Sequence, residues 1–221
     1  MEAKLRSPYV SVPFSGGLSL GGSQMWSDRR TLRRCGCGPV AACDLLLYLE
    51  RKHAMRFSDS ASRHEYCREL EALQRRYFPL IYPKGLNGVL LTLGLNRALH
   101  DRHLPYRAVW AVSGKKLFAR MADMLRNDIP VILAVGPNFP LVWQKKKLVF
   151  YRKTPDGHYV PATDVLAHYV TALELGDEYV RISSWGRCYY IKISEYTDYV
   201  NQSSSFLISN LVLIRQIKTT G

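Results

Sequence analysis

An α+β fold is what the sequence predicts: a helical half over about residues 22–127, then an antiparallel sheet half over about 128–217, in a single domain. Three observations carry that prediction. Apolar residues recur at helical spacing from Gly38 to about His53, at Val40, Ala41, Leu45, Tyr48 and Leu49. Later stretches, among them KLVFYRK, AHYVTALEL, EYVRISSW, CYYIKI and FLISNLVLIRQI, turn to alternation of period two and short apolar runs. No Pro-, Gly- or Ser-rich linker, low-complexity stretch or long repeat divides the interior.

The elements follow in order. The first long helix begins around Cys37, with Pro39 in its first turn, where a missing N–H costs nothing, and ends in the charged run Glu50 to His53. Ser58 and Asp59 are expected to cap a second helix through Arg76, and Asn87 to open a third through Asp101. A fourth, Lys115 to Arg126, separates the strand-like YRAVWAV (Tyr106 to Val112) from IPVILAV (Ile129 to Val135). Gly176-Asp177 reads as a two-residue hairpin turn that sets Leu175 opposite Glu178.

At 221 residues and 25.3 kDa the chain can bury a core without disulfide or metal staples. Its 47% hydrophobic and 22% charged residues exclude a disordered or collagenous chain. No apolar run approaches the roughly 20 residues that span a bilayer. The opening MEAKLRSPYVSVPF carries Glu2 and Pro8 where an export signal needs an unbroken apolar stretch, so a cytoplasmic location and reduced thiols are expected for the five cysteines. The net charge of +13 attracts anionic partners without choosing among them. Because the cations are scattered and no zinc-finger, RNA-recognition or phosphate-cradling motif accompanies them, nucleic acid is not an expected partner.

The most informative segment is CGCGPVAACDLLLYL. Cys37, flanked by Gly36 and Gly38, stands where the helix begins. Free N–H groups and the positive end of the helix dipole there depress a thiol pKa, and Arg29, Arg30, Arg33 and Arg34 push the same way. Most free cysteines are small buried hydrophobes, but such a residue has no need of glycines on both sides. A metal site built from Cys35 and Cys37 with Cys43 or Cys67 lacks a second ligand pair, so Cys35, Cys43, Cys67 and Cys188 read as structural.

A thiolate that attacks an acyl group needs a base. His53, His64, His100 and His103 fall in polar helical surroundings. His158 and His168 head near-identical words, HYVPA and HYVTA. Pro161 marks the first as an edge or loop, whereas His168 opens a clean strand. In the hairpin register expected above, His168 faces Trp185 and Ser183 lies diagonally on the same face. A core histidine is the alternative reading.

These residues resemble a papain-like cysteine peptidase, nearest to the double-glycine (bacteriocin-processing) peptidase-like group: Cys-Gly-Pro-like spacing with two alanines behind Cys37, a distant HYVTALEL strand, and ISSWG on the next strand. The resemblance covers roughly residues 22–196, and only those short words are specific. It implies a papain-like fold and a thiol-dependent hydrolase, a peptidase or amidase, that needs no metal or organic cofactor. Cys37 would be the nucleophile, His168 the general base and acid, and Ser183, standing where the family carries Asn or Asp, the group orienting the imidazole. Gln24 in GGSQMW would donate to the oxyanion; SDRRTLRR would then be an insertion, and the alternative for Gln24 is a surface loop residue. The substrate would be a peptide or protein, of acidic character given the net charge. The competing expectation is a catalytically inactive peptidase-like protein that binds an anionic partner through its basic surface.

Overall fold

The computed structural model describes residues 2–14, 16–55, 61–82, 85–110, 112–136 and 146–217. In chain order the elements are β1 (Ala3–Lys4), β2 (Pro13–Phe14), β3 (Gly17–Leu18), α1 (Arg30–Cys35), α2 (Cys37–Ala54), α3 (Arg63–Tyr77), α4 (Gly88–Asp101), β4 (Tyr106–Trp110), α5 (Leu117–Arg126) and β5 (Val131–Val135). There follow β6 (Leu148–Lys153), β7 (Tyr159–Val165), β8 (His168–Leu175), β9 (Tyr179–Ser184), β10 (Arg187–Lys192), α6 (Ile193–Ser203) and β11 (Val212–Gln216). Short 3-10 turns lie at Gln24–Trp26 and Gly114–Lys116.

The fold is mixed α+β around a large antiparallel sheet. Seven strands run β1-β8-β9-β10-β6-β7, and β5 shares with β1 one edge of β8, pairing with residues 168–172 while β1 pairs with Leu175 and Glu174. Flanked on both sides, β8 is mostly buried, as its near-continuous apolar run requires. β7 forms the far edge, and the β6–β7 register shifts between Phe150 and Tyr151, beside Pro161, in keeping with the edge expected for the HYVPA copy.

Helix α2 is the centre of the helical layer. Its residues Gly38 to Leu46 are all buried, so it packs on every side: against β8, α3 and α4. Asn87 caps α4, its side chain accepting from the Leu90 N–H at 2.8 Å. Ser58 and Asp59 lie outside the described residues. The cap observed for α3 is Ser62, in a reciprocal box with Glu65.

Three expectations fail. The β8–β9 connection is not a two-residue turn at Gly176-Asp177: Leu175 pairs with Val180, the Gly176 N–H donates to the Tyr179 carbonyl, and a register shift follows between Ala172 and Glu174. The tight two-residue turn comes one hairpin later, at Trp185-Gly186 between β9 and β10. Nor do strands monopolise the sheet half, for residues 193–203 form α6, and β11 leaves the main sheet to pair with β4.

Candidate active site

A cavity of about 10 Å³, roughly one water's worth of space, lies where α2 meets β8 and β9. Gln24, Cys37, His168, Ser183 and Ser184 all line it. Residues separated by more than a hundred positions are therefore brought together by the packing of one helix on one strand.

Cys37 is the first residue of α2 and is half-buried. Burial pushes its thiol pKa up, and the backbone N–H groups of Tyr169, Gly38 and Cys37 itself offset only part of that. The activated thiolate expected from the helix terminus and arginines is thereby corrected. The guanidiniums of Arg29, Arg33 and Arg34 are directed elsewhere, to Gln74, to the Ser27 and Asp28 carbonyls, and to Tyr82. In a site with so little room for water, desolvation outweighs the dipole.

His168, the first residue of β8, is 8% exposed. Its ring stacks on Trp185 with centroids 4.3 Å apart and planes 23° apart, and Phe150 leans on both rings. Burial lowers its pKa to about 4, so the imidazole is neutral at neutral pH. Nε2 shares a 2.8 Å hydrogen bond with Ser184 Oγ, which leaves Nδ1 as the ring nitrogen that Ser184 does not engage.

The partner of the imidazole is thus Ser184 and not Ser183. Thr171 faces Ser183 across β8 and β9, one residue out of the register expected from a two-residue turn, and a slip of one exchanges the faces of every side chain. Ser183 instead donates to the Leu20 carbonyl at 2.6 Å. The turn that follows holds Trp185 at φ 50° and Gly186 at φ 72°. Positive φ at both central residues is the geometry of a type I′ hairpin, which a tryptophan adopts only at a cost of about 1–3 kcal/mol. That strained backbone lays the indole over His168 and its bond to Ser184.

Gln24 is buried, and its Nε2 donates to the Arg33 carbonyl at 2.7 Å, which leaves the second amide hydrogen for the cavity. The surface-loop alternative does not hold. Its thirteen-residue distance from Cys37 is taken up by the intervening turn and α1. The loop before it comes unusually close to the core: a Cβ on Gly21 would lie 2.4 Å from Asp44 Oδ2, and one on Gly22 1.9 Å from the Tyr66 hydroxyl.

Asp44 was missed by reasoning from the sequence. It lies two turns beyond Cys37 on α2, also lines the cavity, and is 2% exposed. Its carboxylate accepts from the Tyr66 hydroxyl at 2.7 Å, the Gly22 N–H at 3.0 Å and the Tyr9 hydroxyl at 3.2 Å. Burial nonetheless raises its pKa to about 6. A signal was present: Asp44 is the one charged residue between Gly38 and Leu49. Through Gly22 it ties the loop that bears Gln24 to the helix that bears Cys37.

Among the described residues no group of three or more His, Cys, Asp or Glu side chains could hold a metal ion, and no helix is long and apolar enough to cross a membrane. No protein-family model matches the chain, and a search of curated proteins finds no match.

Proposed function

We propose that the protein is a thiol-dependent hydrolase of peptide or other amide bonds, built on a papain-like scaffold. The observation that carries this reading is the convergence of Gln24, Cys37, His168 and Ser184, from four separate segments, on one cavity. In the proposed reaction the Cys37 sulfur forms a bond to the substrate carbonyl carbon as its proton passes to His168 Nδ1. The Cys37 N–H, at the first position of a helix where no intrahelical acceptor exists, and the free hydrogen of the Gln24 amide donate to the oxyanion. His168 then returns the proton to the departing amine as the C–N bond breaks. Water, deprotonated by the same imidazole, hydrolyses the thioester and restores the thiol.

Thiol and imidazole are both held neutral by burial, so proton transfer accompanies attack instead of preceding it. Alkylation with iodoacetamide followed by mass spectrometry tests this. Cys37 should label well ahead of Cys67 and Cys188, which are also half-buried, its rate should climb from neutral pH upward, and Cys37→Ala should abolish peptide cleavage. Equal labelling of the three, or cleavage that survives Cys37→Ala, would overturn the assignment.

One observation favours the second reading, an inactive peptidase-like protein that binds an anionic partner: neutral Cys37 and His168 form no ready ion pair. A labelling rate at Cys37 with no dependence on His168 would decide for it.

A further inference from the structure

The indole of Trp185 also lines a second and much larger pocket of about 570 Å³, which Cys37 does not line. The two cavities share walls. Trp185 lines both, and the loop that places Gln24 in the first contributes Ser23, Met25 and Trp26 to the second. His168, which hands a proton to the departing amine in the reaction proposed above, stacks on that same indole. In that reaction the leaving-group side of a substrate would lie beside the wall that the two cavities share.

Its chemistry is lopsided. Trp26, Trp185, Tyr189 and Phe14 give it aromatic walls, and Phe14 and Met25 are 47% and 58% exposed, apolar surface left open by the described residues. Arg187, the first residue of β10, is the single charged residue among the described residues that line it, and no ion pair joins it to another described residue. Positive charge is reinforced from behind: the Arg152 guanidinium lies 5.6 Å from the Tyr189 ring centroid and that of Arg63 lies 5.7 Å from the Trp26 ring centroid. The nearest acidic side chain in sequence, Asp164 beside Thr163, is engaged by Lys147 at 3.0 Å.

Resting on the hydrolase reading, we propose that this pocket selects the leaving-group side of the substrate, taking an apolar side chain against Trp26 and Trp185 and a carboxylate at Arg187. A planar guanidinium lining a largely aromatic pocket is suited to bidentate carboxylate recognition. The carboxylate comes either from an Asp or Glu side chain or from the free end of a short peptide.

Synthetic peptides with acetylated amino termini distinguish these. Each carries a central leucine followed by Glu, Gln or Lys, and ends either in an amide or in a free carboxylate. Binding is measured by fluorescence anisotropy on the full chain bearing Cys37→Ala, and cleavage on the chain with its thiol intact. The Glu peptides should bind roughly tenfold more tightly than the Lys peptides, as expected of a charge-assisted contact, and Arg187→Glu should reverse the order. A preference that follows the free terminus instead assigns the carboxylate to the peptide end. Binding with this preference but no cleavage removes the hydrolase reading and leaves the pocket assignment standing. Equal binding of all the peptides whatever their side chain or terminus, a preference unchanged in Arg187→Ala, or no binding of any peptide overturns it.

Discussion

Ser183 and Ser184 are neighbours on β9, carry the same hydroxyl and are both buried, yet they serve regions of opposite character. Ser184 reaches His168 among Trp185 and Phe150, where it is the one polar partner of the ring among the described residues. Ser183 holds the Leu20 carbonyl beside a polar cluster in which Tyr9, Tyr66 and Gly22 all donate to Asp44. Burial nevertheless wins in both places, taking His168 down to about 4 and Asp44 up to about 6. Asp128 shows what reverses it. There burial also pushes the pKa up, but the Ser7 hydroxyl, the backbone N–H groups of Ser7 and Arg6, and Tyr48 hold the carboxyl at about 2. Lys52 Nζ stands 3.9 Å away as well, and at Asp44 the charge of Arg51 favours the ionised form without offsetting burial. Hydrogen bonds keep a buried carboxyl charged only where together they outweigh its desolvation, as they do at Asp128 and do not at Asp44.

The comparison breaks most sharply at the base. His168→Ala should slow Cys37 alkylation and any cleavage by roughly a hundredfold or more, the usual worth of a positioned general base, while circular dichroism stays unchanged. A rate within twofold of the parent would leave His168 a packed core residue.

The two regions should also titrate in opposite senses. Asp44 has a folded pKa above its ordinary 3.8, so the folded state holds the extra proton, and its contribution to stability is full below pH 4 and lost as pH rises through about 6. His168 has a folded pKa below its ordinary 6.5, so its contribution is full above that value and lost as pH falls toward about 4. Each change is worth about 3 kcal/mol. Urea unfolding of the parent against Asp44→Asn and against His168→Gln, from pH 4 to 7, should give difference curves of opposite slope. Parallel curves would mean that the two environments do not differ as described.

The smallest effects separate the serines themselves. Ser184→Ala should lower Cys37 reactivity by about tenfold, since one hydrogen bond orients the ring, and Ser184→Thr should restore part of it. Ser183→Ala should leave the pH profile of alkylation unchanged and cost about 1 kcal/mol of stability. The opposite assignment would return the orienting role to Ser183.

Local pattern determined a good deal here. The helix start at Cys37, the Asn87 cap, the strand at His168 and the edge character of the Pro161 strand are each dictated by residues within a few positions, and each was legible. The mixed α+β class followed from the change of period between the two halves. What lay beyond reach depended on how segments pack. No local signal shows that Leu175 pairs with Val180 or that the register then shifts before Ala172, and the one-residue offset left at Thr171 and Ser183 decides which serine meets the imidazole. No local signal sets the thiol's pKa either, because desolvation is the work of every segment that closes over Cys37 and is felt only once α2 lies against β8. The sequence alone singled out Cys37, His168 and Gln24 as candidates; tertiary packing decided their partners and their charge, because both are properties of contacts between segments distant in the chain.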